Sequence, residues 1–301
     1  CTKDPYRRWE FRMHPEETAQ EMLVDEKIFS LIDPWTPRGS YEIRRAAVYQ
    51  FHAATADRWR IGRVFIAGDA AHQTPPFLGQ GMNAGLRDVV NLAWKLPMVI
   101  NGIADDELLD TYWAERNAHA HDLVDWAVAI GRLMEHLAEE ERCAWAGLPV
   151  PATPDELKSS GYGQGREQPP IRDGAVILDQ VSDTGSTGYL FNQPVVRPVN
   201  GDEDLRLDDL LGPGFALVLR ASKADAPSLS DYSQGILRRI GARIVSIEGL
   251  EVKRGRLDRL FENHEAAIVR PDRLVFGHTT DDVSLDRLIE MLADKLALTN
   301  D

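Results

Sequence analysis

The stretch from Arg63 to Leu96 limits what this chain can fold into more than any other. A short apolar strand, Arg63-Val-Phe-Ile-Ala67, runs straight into Gly68-Asp69-Ala70-Ala71-His72. A loop with Pro75, Pro76, Gly79 and Gly81 follows, and a helix is predicted to open near Met82 or Asn83. Its stripe of Leu86, Val89, Val90, Ala93 and Leu96 repeats every 3.6 residues, the pattern of a helix with one core-facing side. Pro97 should kink or end it. The order of these pieces has a mechanical meaning. Gly68 at the end of a strand lets a ligand or a backbone come close. Asp69 then projects a carboxylate at the strand's C-terminal edge, where ligands of open α/β sheets bind and where a polyol hydroxyl can be held. Gly79 and Gly81 leave backbone N–H groups uncovered before the helix, and bare amides at a helix N-terminus stabilise negative charge. Asn83 can add a side-chain amide. A lone Gly-Asp or a lone Gly-x-Gly is a weak signal. The ordered set that continues through Gln80, Met82, Asp88 and Asn91-Leu-Ala-Trp-Lys-Leu96 is far more specific.

The flanking sequence predicts a mixed architecture. Tyr6 to Met13 alternates charged and apolar residues like a half-buried strand. Pro15 to Val24 reads as a short acidic helix with Met22 and Leu23 facing inward, and Asp33-Pro-Trp-Thr-Pro37 as a loop. Tyr41 to Ala54 is rich in strand formers, with Ile43, Val48 and Phe51 near a buried surface. Asp105 to Glu141 is strongly helical, lined on one side by Leu108, Leu109, Tyr112, Leu123, Ile130, Leu133 and Leu137, with Gly131 as a point where it can break. Residues 147–172 are rich in Pro and Gly and read as a linker or surface loop. Beyond them the pattern changes. Phe215–Arg220 is a strand, Asp231–Ile240 a helix and Ala242–Ile247 a strand. Residues 266–270 and 273–276 form a hairpin around Pro271-Asp272, and Leu285–Leu298 is a closing helix, the order of a small α/β domain. The chain opens at Cys1 with what looks like the inside of a domain, so upstream sequence is expected to be missing.

Composition excludes several functions. A net charge of −14 argues against a nucleic-acid partner, because phosphate neutralisation needs a basic face. Cys1 and Cys143 are the only cysteines and have no paired spacing, so neither a disulfide scaffold nor a zinc site is expected and a cytoplasmic location fits. No apolar run approaches the ~20 residues of a membrane span. His119 and His121 lie on different faces of one helix, so no metal is expected.

The set Gly68-Asp69-Ala70-Ala71-His72, Pro75-Pro76, Gly79-Gln80-Gly81-Met82-Asn83 resembles the second FAD motif of the flavoprotein aromatic hydroxylases, the group that includes p-hydroxybenzoate and phenol hydroxylases. The match is dense over about 35 residues and looser along the rest. The resemblance implies that Asp69 binds the ribitol or ribose region of FAD and that Gly79 to Asn83 hold the pyrimidine edge of the isoalloxazine. It implies that Pro75 and Pro76 supply the loop carbonyl that faces the phenol hydroxyl, and that His72 packs beside the cofactor. NAD(P)H would be the co-substrate, and one oxygen of O2 would be placed on a phenolic ring. Asp88 and Arg87 are read as solvated or structurally paired, and Glu115 with Arg116 as a structural ion pair. The finer wording, Arg44-Arg45, Val48 to Ala53 and His72 to Gly85, is similar to the 3-(3-hydroxyphenyl)propionate hydroxylases. Phe11 with Arg7, Arg8 and Trp9 resembles a strand of that subfamily's substrate domain.

The implied organisation is the end of a substrate-binding sheet over 1–60, the later part of a Rossmann-like FAD-binding domain with its linker over 61–172, and a thioredoxin-like domain over 173–301. That last domain lacks C-x-x-C, so packing or homodimer formation is its expected job. The strand–Gly-x-Gly-x-x-Gly–helix unit that binds the ADP part of FAD is not seen, and Gly161-x-Gly163-x-Gly165 neither follows a strand nor opens a helix. The readings that stay open are a hydroxylase of phenol or of an aromatic polyketide, a flavoprotein of the same fold with reductase or halogenase chemistry, and a fragment inactive by itself.

Overall fold

The computed structural model describes residues 4–155, 169–182, 185–222, 224 and 228–299, and the chain divides after Phe51 into two compact units. Cys1, the three glycines at 161, 163 and 165, and residues 156–168 of the expected linker lie outside the described residues.

In the first unit two short helices form, α1 (Ala19–Met22) and α2 (Asp25–Ile32). Thr18 starts α1 with a capping box to Glu21, so the helix begins three residues after the Pro15–Glu16 turn. Met22 is buried as expected, but Leu23 is exposed because α1 ends before it. The expected strand over 6–13 is absent, of the stretch Tyr41 to Ala54 only Ala54 enters a strand, and Val48 and Phe51 are exposed. A strand needs a neighbour for its amides, and no ladder involves residues 4–53 among the described residues. Ring contacts hold these segments instead: Trp9 with Trp35 at 6.1 Å, Arg44 over Tyr6 at 4.5 Å and Arg38 over Phe29 at 4.7 Å.

The second unit begins with small strands. β1 (Ala54–Thr55) pairs antiparallel with β4 (His72–Gln73), and β2 (Arg60–Ile61) with β3 (Val64–Phe65). Two long helices follow, α3 (Gly81–Ile100) and α4 (Asp110–Trp145). Pro97 does not end α3. The helix runs on for three residues beyond it, at the cost of the one N–H bond to the Ala93 carbonyl that proline cannot make. Gly131 does not break α4 either. It is a contact point: a Cβ there would stand 2.4 Å from Phe77 Cε2, so the helix backbone and the Phe77 ring touch. Leu137 lies on an exposed face, whereas Leu108, Leu109, Tyr112, Leu123, Ile130 and Leu133 are buried.

The C-terminal region folds in the order read from the sequence. Its main sheet runs β11-β10-β7-β8, with β7 (Ala216–Leu219) parallel to β8 (Arg243–Ser246) and β10 (Ala266–Val269) antiparallel to both β7 and β11 (Val275–His278). A second sheet joins β5 (Val195–Pro198), β6 (Leu205–Arg206) and β9 (Leu250–Arg254). Alternation along the central strands divides the core in two. Leu217, Leu219, Ala266 and Ile268 pack with the helices Asp231–Arg239 and Leu285–Lys295, while Ala216, Val218, Ala267 and Val269 pack with Phe191, Leu207, Leu211 and Phe261. Met98, Ala104 and Leu108 join the first of these cores, so the end of α3 and the approach to α4 are built into the C-terminal sheet.

Candidate functional site

The site starts from a backbone turn. After β3 the chain leaves Ala67 extended and enters a single 3-10 turn, Gly68–Ala70. Gly68 has φ +59°, which a side chain would strain, and a Cβ on Gly85 would stand 3.2 Å from Gly68 Cα. Glycine at both positions therefore lets the turn rest directly on α3. The turn leaves the Asp69 carboxylate exposed at the mouth of an open cleft of about 430 Å³, lined by Ala67, Gly68, Asp69, Gly81, Met82, Gly85, Leu86 and Val89.

The opposite lip is the start of α3. Gly79 adopts the left-handed conformation (φ 60°) that turns the chain into the helix, Gln80 is the N-cap, and no side chain caps the first amides. A Cβ on Gly81 would meet nothing within 4 Å, so the space beside those amides is open. A helix N-terminus in this state carries about half a positive charge. Asn83 Nδ2 leans on Gln80 Oε1 at 3.5 Å. Pro75 is buried, Pro76 opens a 3-10 turn (Pro76–Leu78), and the Pro76 carbonyl accepts the Gly79 N–H at 3.0 Å.

Behind the turn lies a buried carboxylate. Asp88 Oδ2 accepts the Gly68 N–H at 3.0 Å and meets His72 Nε2 at 2.7 Å, and Oδ1 accepts Arg116 Nε at 2.9 Å. Burial pushes the Asp88 carboxyl up. The His72 hydrogen bond, the Arg116 charge and the Gly68 amide outweigh that and hold it below the usual carboxylate range. Arg116 Nη1 also meets His119 Nδ1 at 3.0 Å, and burial together with the Arg116 charge pushes that imidazole down to about 3. Tyr112 donates to the Ile66 carbonyl at 3.0 Å and packs its ring edge on Trp59.

A second polar cluster lies further along the same helix. Lys95, Asn91 and Trp94 of α3, Glu115 of α4, and Arg270 and Asp272 of the β10–β11 hairpin form one buried network. Glu115 meets Lys95 at 3.0 Å and Arg270 at 2.7 Å, and also accepts the Ala175 N–H at 2.8 Å. Arg270 also pairs with Asp272 at 2.6 Å. Two cations face two anions, so the cluster is neutral. Burial pushes the Lys95 ammonium down to about 8 against the pull of Glu115. Glu115 sits well below the carboxylate range, because the charges of Arg270 and Lys95 outweigh its burial.

The structure brings Gly68, Asp69, Gly81 and Met82 of the expected set together in the cleft lining. Ala70, Ala71, His72, Pro75, Pro76, Gly79, Gln80 and Asn83 flank the cleft without lining it, and the His72 ring is buried against Trp59 at 5.3 Å. Glu115 and Arg116 do not pair with each other. Successive residues of a helix point in different directions, and each finds its partner on α3 or beyond. Of the two readings of Asp88, the paired one holds: it is fully buried and bound to Arg116. Sequence reasoning missed Gly85, whose four-residue spacing from Gly81 puts both on one helix face, and it missed the grip of Asp88 on the turn. No group of three or more potential metal ligands occurs among the described residues, and none of their helices is long and apolar enough to cross a membrane.

An exposed carboxylate, a glycine–glycine floor and uncapped helix amides around open space fit a polyol-bearing, anion-forming cofactor such as FAD. The comparisons agree with this chemistry. A family model described as an FAD binding domain matches residues 2–127, and one described as an HcaD C-terminal domain matches residues 188–295. A 3-(3-hydroxy-phenyl)propionate/3-hydroxycinnamic acid hydroxylase 2 of Burkholderia vietnamiensis is 33% identical over 301 residues, covering 91% of this chain and 54% of that protein. A 3-(3-hydroxy-phenyl)propionate/3-hydroxycinnamic acid hydroxylase of Mycolicibacterium vanbaalenii is 35% identical, covering 90% and 51%. Among solved structures, aklavinone-11 hydroxylase in complex with FAD and aklavinone superposes with a TM-score of 0.64 at 26% identity, covering 93% of this chain and 52% of that one. The chain therefore spans about half the length of the curated relatives it matches.

Proposed function

Because this chain is homologous to the flavoprotein aromatic hydroxylases over nine-tenths of its length, we propose that it serves an FAD-dependent monooxygenase that adds one hydroxyl to a phenolic ring using NAD(P)H and O2. The observation that carries this reading is the convergence of the exposed Asp69 carboxylate and the uncapped start of α3 over the Gly68–Gly85 contact. Bound FAD supplies the redox chemistry that activates O2. The chain's own residues bind and polarise. Asp69 accepts hydrogen bonds from ribityl hydroxyls. The amides of Gly81, Met82 and Asn83, with the helix dipole behind them, stabilise negative charge on the pyrimidine edge. Gly68, Ala70, Ala71, His72, Gly79 and Gln80 shape the cofactor's bed, and the loop of Pro75 and Pro76 presents a backbone carbonyl to the phenol hydroxyl.

We assign 3-(3-hydroxyphenyl)propionate as the substrate, in aromatic catabolism, on the strength of the relatives' names. A second reading, an aromatic polyketide substrate, is favoured by the likeness to aklavinone-11 hydroxylase. Residues 1–60, 61–172 and 173–301 serve as the substrate-sheet portion, the later FAD-binding portion and a thioredoxin-like domain. The strand order β11-β10-β7-β8, with a parallel β7–β8 pair, supports the last assignment. That domain packs or forms a homodimer, and the protein works in the cytoplasm.

Titration of the purified 301-residue chain with FAD, read by flavin fluorescence and visible absorbance, tests the cofactor site. Saturable binding that Asp69→Ala weakens is expected, and a chain that never takes up flavin would sink it. For the substrate, NADH oxidation stimulated by 3-(3-hydroxyphenyl)propionate, with a hydroxylated product, is expected. Stimulation by a polycyclic phenol alone would favour the second reading.

A further inference from the structure

We infer that Asp88 is a positioning residue of the cleft, fixing where Asp69 stands although it is itself fully buried. Its importance for flavin rests on the proposed function, but its geometry does not. Asp88 lies about two helical turns beyond Gly81 on α3. One oxygen, Oδ2, grips both ends of a five-residue segment: the Gly68 N–H at 3.0 Å and His72 Nε2 at 2.7 Å. Between these two points stands Asp69, the exposed carboxylate of the cleft. The other oxygen is occupied by Arg116 Nε, which neutralises the pair and anchors it to α4.

The far end of the segment is also tied down. His72 pairs with Thr55 across β1–β4, its ring packs on Trp59, and the Ala71 carbonyl accepts the Ala56 N–H at 2.8 Å. The near end, Gly68–Ala70 around Asp69, has fewer restraints. Its turn is closed by one backbone hydrogen bond, Ala71 N–H to the Gly68 carbonyl, and Gly68 holds a left-handed φ. The residue before it, Ala67, makes no side-chain cap. A carboxylate with no exposed surface can make such bonds rigidly, because water does not compete for either oxygen. The Gly85–Gly68 contact presses the same turn onto the same helix. Asp88 thereby ties the two lips of the cleft, the Asp69 turn and the α3 N-terminus, to one rigid body.

The rival role is that Asp88 merely neutralises buried Arg116. The two are separated by Asp88→Ala and Asp88→Ala/Arg116→Met in the full chain, with Asp69→Ala as the cleft control. Three quantities are compared: the unfolding midpoint, amide exchange across residues 68–72, and FAD affinity. In the double variant the midpoint should recover, because no buried cation is left unpaired. Exchange across 68–72 should stay about tenfold or more above wild type, and FAD should bind about tenfold more weakly, the size expected for one charge-assisted hydrogen bond. Recovery of both along with the midpoint would overturn the proposal. If wild type itself takes up no FAD, the flavin reading falls, and the exchange comparison still decides the role of Asp88. Where an alanine variant fails to fold, Asp88→Leu/Arg116→Met replaces the double variant. Leucine can accept from neither Gly68 nor His72, so wild-type exchange across 68–72 in that variant would likewise sink the idea.

Discussion

Along α3 the face built from Asp88, Asn91 and Lys95 is buried, whereas the face built from Met82, Leu86 and Val89 is 76%, 54% and 55% exposed. The two faces owe their positions to different kinds of partner. The polar face is held by specific groups placed by distant parts of the chain: Gly68, His72, Arg116, Glu115 and Asp272, the last two in turn paired with Arg270. The apolar face borders the cleft and has no core of its own among the described residues. The lesson is that periodicity reports that a helix has two sides, while complementary partners decide which side is covered. Buried charge survives here only because every member is matched, and a half-matched cluster would cost several kcal/mol.

The largest test breaks the polar face. Arg270→Ala leaves Glu115 and Asp272 buried beside a lone Lys95, and should cost about 3–5 kcal/mol in chemical unfolding. A loss near that of a surface substitution would mean the network carries no stability. The next test uses protons. Glu115 is held low, so its folded pKa lies below its unfolded one. Its contribution is therefore in place above about pH 4.3 and is lost as pH falls through the folded value. Against Glu115→Gln, the wild-type melting temperature should fall more steeply on acidification, and parallel curves would refute the assignment. Smaller again is Gly131→Ala, where the added methyl meets Phe77. About 1–3 kcal/mol should be lost, with partial recovery in Gly131→Ala/Phe77→Leu. Smallest is the apolar face. Val89→Lys should change stability by no more than about 0.5 kcal/mol, yet reduce binding of an apolar dye. A large destabilisation would show that the face is covered after all.

Much of the C-terminal region was legible because its signals are local. Phe215–Arg220 and 266–270 are short β-rich runs, Pro271-Asp272 marks a turn, and Ser230 and Ser284 cap the helices that follow them. The cleft was legible in Gly68, Gly81 and Asp69 for the same reason, since backbone freedom and a carboxylate at a strand edge are written at fixed spacing. What failed depended on partners far away in sequence. Tyr6–Met13 alternates like a strand but meets no ladder. Leu86, Val89 and Val90 looked like a core stripe, Asp88 was open between solvated and paired, and Glu115 was matched to its chain neighbour Arg116 rather than to Lys95 and Arg270. Only the arrival of Arg116 and, from 155 residues on, Arg270 makes those carboxylates interior groups.

The Lys95–Glu115–Arg270–Asp272 quartet also bears on how such proteins can be recombined. Its members come from α3, α4 and the β10–β11 hairpin, and its charges cancel only as a set. The C-terminal region is therefore not an interchangeable cassette. A chimaera that grafts a foreign one after residue 172 inherits Lys95 and Glu115 from one parent, and folds well only if the other parent brings an arginine and a carboxylate in the positions of Arg270 and Asp272. Drift at any one of the four sites is expected to wait on its neighbours, so substitutions there should be found together in related chains or not at all.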